Sequence, residues 1–509
     1  MVQAWAAIVA RPTVALEPQT AVVWVQCAPN SKGGRDSGHR YRHAPRGHPQ
    51  RSAEHQRVTR VVMAVNNPGS NDYRVVKSAE VLAAAGYEVI VVGLRGADHP
   101  ARETRHGVRY VRVTLPRSRL ALLPDLVPGG TLWWNRLRAP RAIPATDTVA
   151  IAPGPAQPHE ARGATGLRQR VVAWLRHHLR NFRPATSPLS VRLLFARYAH
   201  AYVPVLLALK ADIYHAHELW MLESCALAAR QCGARLLYDS HELEPHRNLD
   251  WCAASNTRRI AYEQRYIGAA DAVFTVSPGV ARALQSIYQL PAVGLLRNTP
   301  WLAKLRPAPQ GLRQSLGLPA DTPLVVYTGL VTRNRGLELV IDALPELPGF
   351  HLAMVGRAEP SIAAALSSQA LARGVASRVH ALAPVPPEEL IDFIASGDVA
   401  VIAAPDACLS YRYSLPNKLF EALFAGLPLV VSDLEDMRDF VLTHGVGRVF
   451  GHGDTRALAA ALREVVRERA RYVDTGQRER MRTEYSFDNE AHALLASYRA
   501  LSALPKRPV

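Results

Sequence analysis

Lys418 and Glu421 stand three residues apart in the run Ser414-Leu415-Pro416-Asn417-Lys418-Leu419-Phe420-Glu421, where a loop feeds into a predicted helix. Ser414 is the expected N-cap, and Pro416 falls in the first turn, where its missing N–H costs nothing. Gly426 and Pro428 end the helix, and Leu429-Val430-Val431 opens a buried strand. The start of such a helix offers free N–H groups and a positive dipole end to an anion. Lys418 adds a full charge there. A diphosphate at the helix start and a sugar hydroxyl at Glu421 would both be satisfied. The same spacing equally describes a surface helix carrying a weak Lys418–Glu421 pair.

Two further runs carry chemistry. Asp212-Ile213-Tyr214-His215-Ala216-His217-Glu218 and Arg235-Leu236-Leu237-Tyr238-Asp239-Ser240-His241-Glu242 are strands that each end in a His-Glu pair. On a strand His215 and His217 share a face while Glu218 points away, which leaves a metal chelate incomplete. The chain has no Asp-x-Asp carboxylate pair either, so no metal and no other cofactor is expected. Pro323 to Gly329 is a buried strand followed by a loop with Arg333, Arg335 and Gly336. Arginine suits phosphate because its guanidinium donates two parallel hydrogen bonds.

In order and spacing these runs resemble family 4 glycosyltransferases, retaining GT-B enzymes that use nucleotide sugars. The likeness rests on Ser-Leu-Pro-Asn-Lys-Leu-Phe-Glu with the following Ala-Gly-Leu-Pro, on His-Ala-His-Glu, and on Tyr-Asp-Ser-His-Glu-Leu. Asp72-x-Arg74-Val75 and Arg297-Asn298-Thr299-Pro300, an Asn-x-Pro like the family's interdomain hinge, add to it. The resemblance implies ribose binding by Glu421 and diphosphate binding by Arg333, Arg335, Asn417 and Lys418. It puts Tyr413 and Ser414 near the donor sugar and His217 beside it as the catalytic residue. Gly69, Asn71, Asp72, Arg74, His241 and Glu242 fall on the acceptor side. Two positions depart from the pattern. The first of the family's two glutamates falls at Tyr413, and the arginine that follows the donor-loop glycine falls at Leu330.

The implied activity is sugar transfer from a nucleotide-diphosphate donor to a glycan or lipid-linked acceptor, in cell-surface polysaccharide or glycoconjugate synthesis. A GT-B nucleotide-sugar epimerase and a catalytically silent sugar-nucleotide-binding partner are the alternatives. Composition narrows the field. A net charge of +18 over 509 residues suits anionic substrates or an anionic membrane surface. There is no aromatic-interleaved basic motif of the kind that binds nucleic acid. The five cysteines are scattered with no Cys-x-x-Cys pair, as in a reducing cytoplasm. Gly-x-Gly-x-x-Gly is missing after the first strand, against a nicotinamide or flavin dehydrogenase.

The elements that position these residues alternate strand and helix in two halves. Arg60 to Val65, Tyr73 to Ala85 and Tyr87 to Gly93 form a βαβ unit, whose ligands belong at the strands' carboxyl ends. The expected fold is α/β: two doubly wound Rossmann-like domains facing a deep interdomain cleft. Residues 1–57 read as a basic extension and 58–298 as the acceptor-side domain, with an irregular or amphipathic insertion at about 115–190. Residues 299–485 read as the donor domain, and 486–509 as a terminal helix crossing back to the first. Between 161 and 210 there are nine Lys or Arg and no Asp or Glu. Val171, Val172, Trp174, Leu175 and Leu179 share one helical face there, with Arg168, Arg170, Arg176, Arg180 and Arg183 beside them. Such a helix suits the anionic inner face of a cell membrane, and it equally suits packing on its own domain. No run is long and apolar enough to span a membrane. The expected location is cytoplasmic or peripheral on that face.

Overall fold

The computed structural model describes residues 58–116, 188–247 and 253–508. The expected basic extension at 1–57 and the amphipathic segment from Arg168 to Arg183 lie outside the described residues. No described helix is long and apolar enough to cross a membrane.

The first sheet has eight strands in the order β3-β4-β2-β1-β5-β6-β7-β8. These are β1 Arg60–Ala64, β2 Glu88–Leu94, β3 Arg102–Arg105, β4 Val108–Val113, β5 Ile213–His217, β6 Arg235–Ser240, β7 Ala272–Thr275 and β8 Gly294–Leu295. Only the β3–β4 pair is antiparallel. His106 and Gly107 turn that hairpin with φ values of 47° and 78°, as a two-residue turn that follows strand twist requires. The second sheet has six strands, ordered β11-β10-β9-β12-β13-β14: β9 Leu324–Thr328, β10 His351–Val355, β11 Val379–Leu382, β12 Val399–Ile402, β13 Leu429–Ser432 and β14 Gly447–Phe450. Every pair in it is parallel.

The apolar runs follow from burial on both faces. Along β1, Val62 and Ala64 join one core with Tyr214, Tyr238 and the helices on that side. Val61 and Met63 join the opposite core with Val89, Val91 and Leu237. The terminal helix Phe487–Ala503 seats Phe487, Leu494, Tyr498 and Leu501 in that second core. Each fully buried Leu or Phe there contributes about 1.5–3 kcal/mol.

Strand order reverses between β1 and β5 in the first sheet and between β9 and β12 in the second. A reversal splays the neighbouring loops apart and opens a crevice at the carboxyl ends. His217 is the last residue of β5, and the loops after β1 and β6 carry Asp72, His241 and Glu242. The loop after β9 carries Arg333 and Arg335, and the loop after β12 leads into the helix that starts with Asn417 and Lys418.

Candidate functional site

The helix carrying Lys418 spans Asn417–Ala425, and Pro416 occupies its N-cap without a side-chain cap. The expectation that Ser414 caps it is corrected. The Ser414 hydroxyl instead donates to the Tyr411 carbonyl at 2.9 Å, closing the short helix Leu409–Arg412. Proline disfavours helical backbone in the residue before it, so the new helix starts only after Pro416. Its first N–H groups are left without side-chain partners among the described residues.

Lys418 lies with its ammonium 3.8 Å from the centroid of the Tyr327 ring. Burial, with the Arg335 charge nearby, lowers its pKa to about 7. Glu421 accepts the Thr328 hydroxyl at 2.9 Å, and burial raises its carboxyl above the usual range. The Arg335 guanidinium sits 5.7 Å from the Tyr411 ring centroid, and its Nε is buried with no hydrogen-bond partner. The β9 loop reaches this geometry through left-handed backbone at Asn334 (φ 60°) and Gly336 (φ 69°). A Cβ on Gly336 would lie 1.7 Å from the Ala403 carbonyl oxygen, so only glycine fits there.

The facing wall is a buried network. Arg74 donates to both Asp239 oxygens, at 2.8 and 2.6 Å. His241 Nε2 lies 3.5 Å from Asp239 and 3.1 Å from His217 Nδ1. His241 Nδ1 lies 3.5 Å from Glu218 Oε1. Burial opposes charge on His241, but Asp239 and Glu218 outweigh it and raise its pKa to about 10. Burial would raise Asp239; Arg74 and His241 hold it well below the carboxylate range. His217 is driven the other way, lowered mainly by burial, so it stays neutral between charged neighbours. The reading that Glu218 points away from the histidines is also corrected. β5 ends at His217, and Glu218 turns left-handed at φ 62°, which brings its carboxylate back to His241.

His215, His217 and Asp239 offer ligand atoms within 4.8 Å of one another. Arg74 already occupies both Asp239 oxygens, and the Tyr498 hydroxyl lies 2.8 Å from His215 Nδ1. The donor set therefore suits a fixed ion pair better than a second cation.

The two walls enclose a cleft of about 880 Å³. It is lined by Arg333, Arg335, Ser414, Asn417, Lys418 and Glu421 from one side and Asp72, Arg74, His241 and Glu242 from the other. Four predicted residues are not in that lining. His217 is fully buried. Gly69 packs near Val91 and Tyr110. Asn71 is exposed and 3.3 Å from His99. Tyr413 turns to the other domain, where its carbonyl accepts the Ser277 hydroxyl. A Cβ on Gly279 would meet the Tyr413 ring at 2.6 Å. Leu330 does line the cleft.

Sequence reasoning missed Asp239, which only its pairing with Arg74 reveals. It also missed Lys77, buried on the Tyr73–Ala84 helix. Lys77 Nζ donates to Asn298 Oδ1 at 3.0 Å and to the Thr299 carbonyl, tying that helix to the interdomain connection. A charged residue on the helix's apolar face was the available signal.

The model of "Glycosyltransferase Family 4" matches residues 146–298, and that of "Glycosyl transferases group 1" matches residues 322–468. A D-inositol 3-phosphate glycosyltransferase of Xylanimonas cellulosilytica is 28% identical over 319 residues, 58% of this chain and 73% of that protein. An alpha-maltose-1-phosphate synthase of Mycolicibacterium smegmatis is 26% identical over 317 residues, 58% of this chain and 80% of that one. Among solved structures, sucrose-phosphate synthase from Thermosynechococcus elongatus superposes with a TM-score of 0.63 at 17% identity, covering 87% of this chain and 99% of its own. Anabaena HepE in complex with UDP and glucose gives 0.55 at 14% identity, covering 88% and 100%. At these identities the structural likeness is one of fold.

Proposed function

Because the chain belongs to the family 4 glycosyltransferases and has the GT-B fold, we propose how its cleft divides the work. A nucleoside diphosphate sugar lies along the wall formed by β9, β12 and the Asn417–Ala425 helix. The acceptor enters from the wall formed by β1, β5 and β6. The observation that carries this reading is the convergence of Arg335, Lys418 and the uncapped helix start with Glu421 on one cleft. Glu421 holds the ribose hydroxyls. Arg333, Arg335, Asn417 and Lys418 hold the diphosphate, and Ser414 closes the donor end.

Transfer breaks the bond between the anomeric carbon and the β-phosphate oxygen, which leaves with the electron pair. Arg335, Lys418 and the helix dipole stabilise the charge that grows there, and closure of the two domains would limit the access of water. The acceptor hydroxyl bonds to the same face of the sugar and gives its proton to the departing phosphate oxygen, so configuration is retained. The protein's own cations supply the neutralising charge. His217 stays neutral behind the cleft wall, where its Nδ1, 3.1 Å from His241 Nε2, positions the His241 ring that lines the cleft. Arg74 and Asp239 hold it in place.

The acceptor class is a glycan or a lipid-linked sugar, and the setting is cell-surface glycoconjugate synthesis on the cytoplasmic face of the membrane. A thermal-shift screen of UDP, GDP and ADP and their sugars tests the reading. We expect one nucleoside diphosphate to stabilise the wild type and neither Glu421→Ala nor Lys418→Ala. A wild type that responds to no nucleotide would overturn it.

A further inference from the structure

The carboxylate expected to face the donor sugar is missing from its usual place. Position 413 holds tyrosine, and its ring is turned out of the cleft against Gly279 of the other domain. Replacing that tyrosine with an acid would not restore a sugar contact, because the backbone there aims across the domain interface.

The described lining of the cleft contains three carboxylates, Asp72, Glu242 and Glu421. Asp72 is occupied: it caps its helix by accepting from the Arg74 and Val75 N–H groups, and it accepts from the Asn67 amide at 2.8 Å. Glu421 is held by Thr328 at the ribose end. Glu242 differs. Its Oε1 lies 3.0 Å from Arg247, its side chain is 32% exposed, and its other oxygen has no partner among the described residues. The turn Glu244–His246 just beyond it packs on the Leu409–Arg412 helix, which leads into the donor helix. That packing carries Glu242 over the donor end of the cleft, near Ser410, Tyr411 and Arg335, all of which line it. Burial, with Glu218 nearby, raises the Glu242 carboxyl, while Arg247, His241 and Arg335 pull it back toward the charged form, and Glu242 acts in turn on Cys408 at the start of that short helix.

Resting on the glycosyltransferase reading above, we propose that Glu242, from the opposite domain, accepts hydrogen bonds from the donor-sugar hydroxyls in place of the missing carboxylate. The sugar is then a neutral one with free hydroxyls. A uronic acid in the same place would set two carboxylates against each other. Because the group comes from the acceptor-side domain, the sugar is gripped only when the cleft is closed, which ties donor recognition to closure.

The test is calorimetry with a nucleoside diphosphate and its hexose conjugate, the base taken from the screen above, on wild type and Glu242→Gln. Gln keeps the size and removes the charge. The bare diphosphate should bind both proteins within about twofold. The extra affinity that the hexose gives should fall by roughly 10- to 100-fold in Glu242→Gln, the worth of a hydrogen bond to a charged group. A second measurement needs no variant: the wild type should bind the uronic acid conjugate more weakly than the hexose conjugate. An unchanged hexose increment in Glu242→Gln, with a raised KM for acceptor alone, overturns the proposal and leaves Glu242 an acceptor ligand. Equal binding of hexose and uronic acid conjugates overturns it too. If no diphosphate binds the wild type, the glycosyltransferase reading itself falls first.

Discussion

The two walls of the cleft are built on opposite plans. On the donor wall Lys418 and Arg335 are cations with few fixed partners, held by an aromatic ring each. On the acceptor wall Arg74, Asp239, His241 and Glu218 neutralise one another before any ligand arrives. A wall with unneutralised charge is poised to take an anion. A wall whose charges are already paired serves as a rigid frame, and rigidity is what positions a neutral sugar or acceptor hydroxyl.

Substitutions should separate the two plans. The largest effect belongs to the paired wall. Asp239→Asn strands the buried Arg74, so we expect a loss of about 3–5 kcal/mol of stability; urea unfolding measures it, and a loss below about 1 kcal/mol would mean the pair is not the frame. Lys418→Met should do the reverse, leaving the unfolding midpoint unchanged or higher while weakening diphosphate binding by roughly 10- to 100-fold. Calorimetry and thermal melts on one sample decide it, and an equal loss of both would erase the contrast.

The walls also meet directly. Gly279 donates its N–H to Asp436 at 2.7 Å across the interface, and a Cβ there would come within 2.8 Å of the Asp436 carboxylate. Gly279→Ala should therefore cost about 1–3 kcal/mol and raise the KM for donor, since the cleft no longer closes fully. A KM equal to wild type would show that closure does not depend on this contact.

The smallest effect is in pH. Burial lowers Lys418 to about 7, below its unfolded value, so its burial penalty is full below pH 7 and fades as pH rises above it. His241 is raised to about 10 by Asp239 and Glu218 against the pull of burial. Its stabilisation is complete below its unfolded pKa, near 6.5, and is lost as pH rises through about 10. Bound diphosphate should push Lys418 back up. We expect uptake of up to about one proton per diphosphate near pH 8, seen as a buffer-dependent binding enthalpy. That uptake should vanish in Lys418→Met and survive in Glu242→Gln.

The donor wall was largely legible in the chain. Arg333, Arg335, Asn417, Lys418 and Glu421 sit in two short runs, each a strand, a loop and a helix start, and local rules place all five on the cleft. The acceptor wall was legible only in part. His241 and Glu242 follow a strand end, as expected. Arg74 and Asp239 are 165 positions apart and meet only because β1 and β6 flank β5. The β3–β4 hairpin went unassigned, although Glu103 to Val113 alternates around His106-Gly107. Ser414 was misjudged because two helices compete for it, and Glu218 because strand alternation stops one residue before it.

The sequence by itself determined the αβ alternation, the parallel sheets and the cleft wall that carries Arg335, Lys418 and Glu421, because period, turn residues and helix starts act over a few residues. Tertiary structure alone decided which charges are free and which are spent. It paired Arg74 with Asp239, turned Tyr413 out of the cleft and brought Glu242 to the donor end. A charge's availability depends on what lies within a few ångströms of it in space, and strand order and domain closure set that neighbourhood.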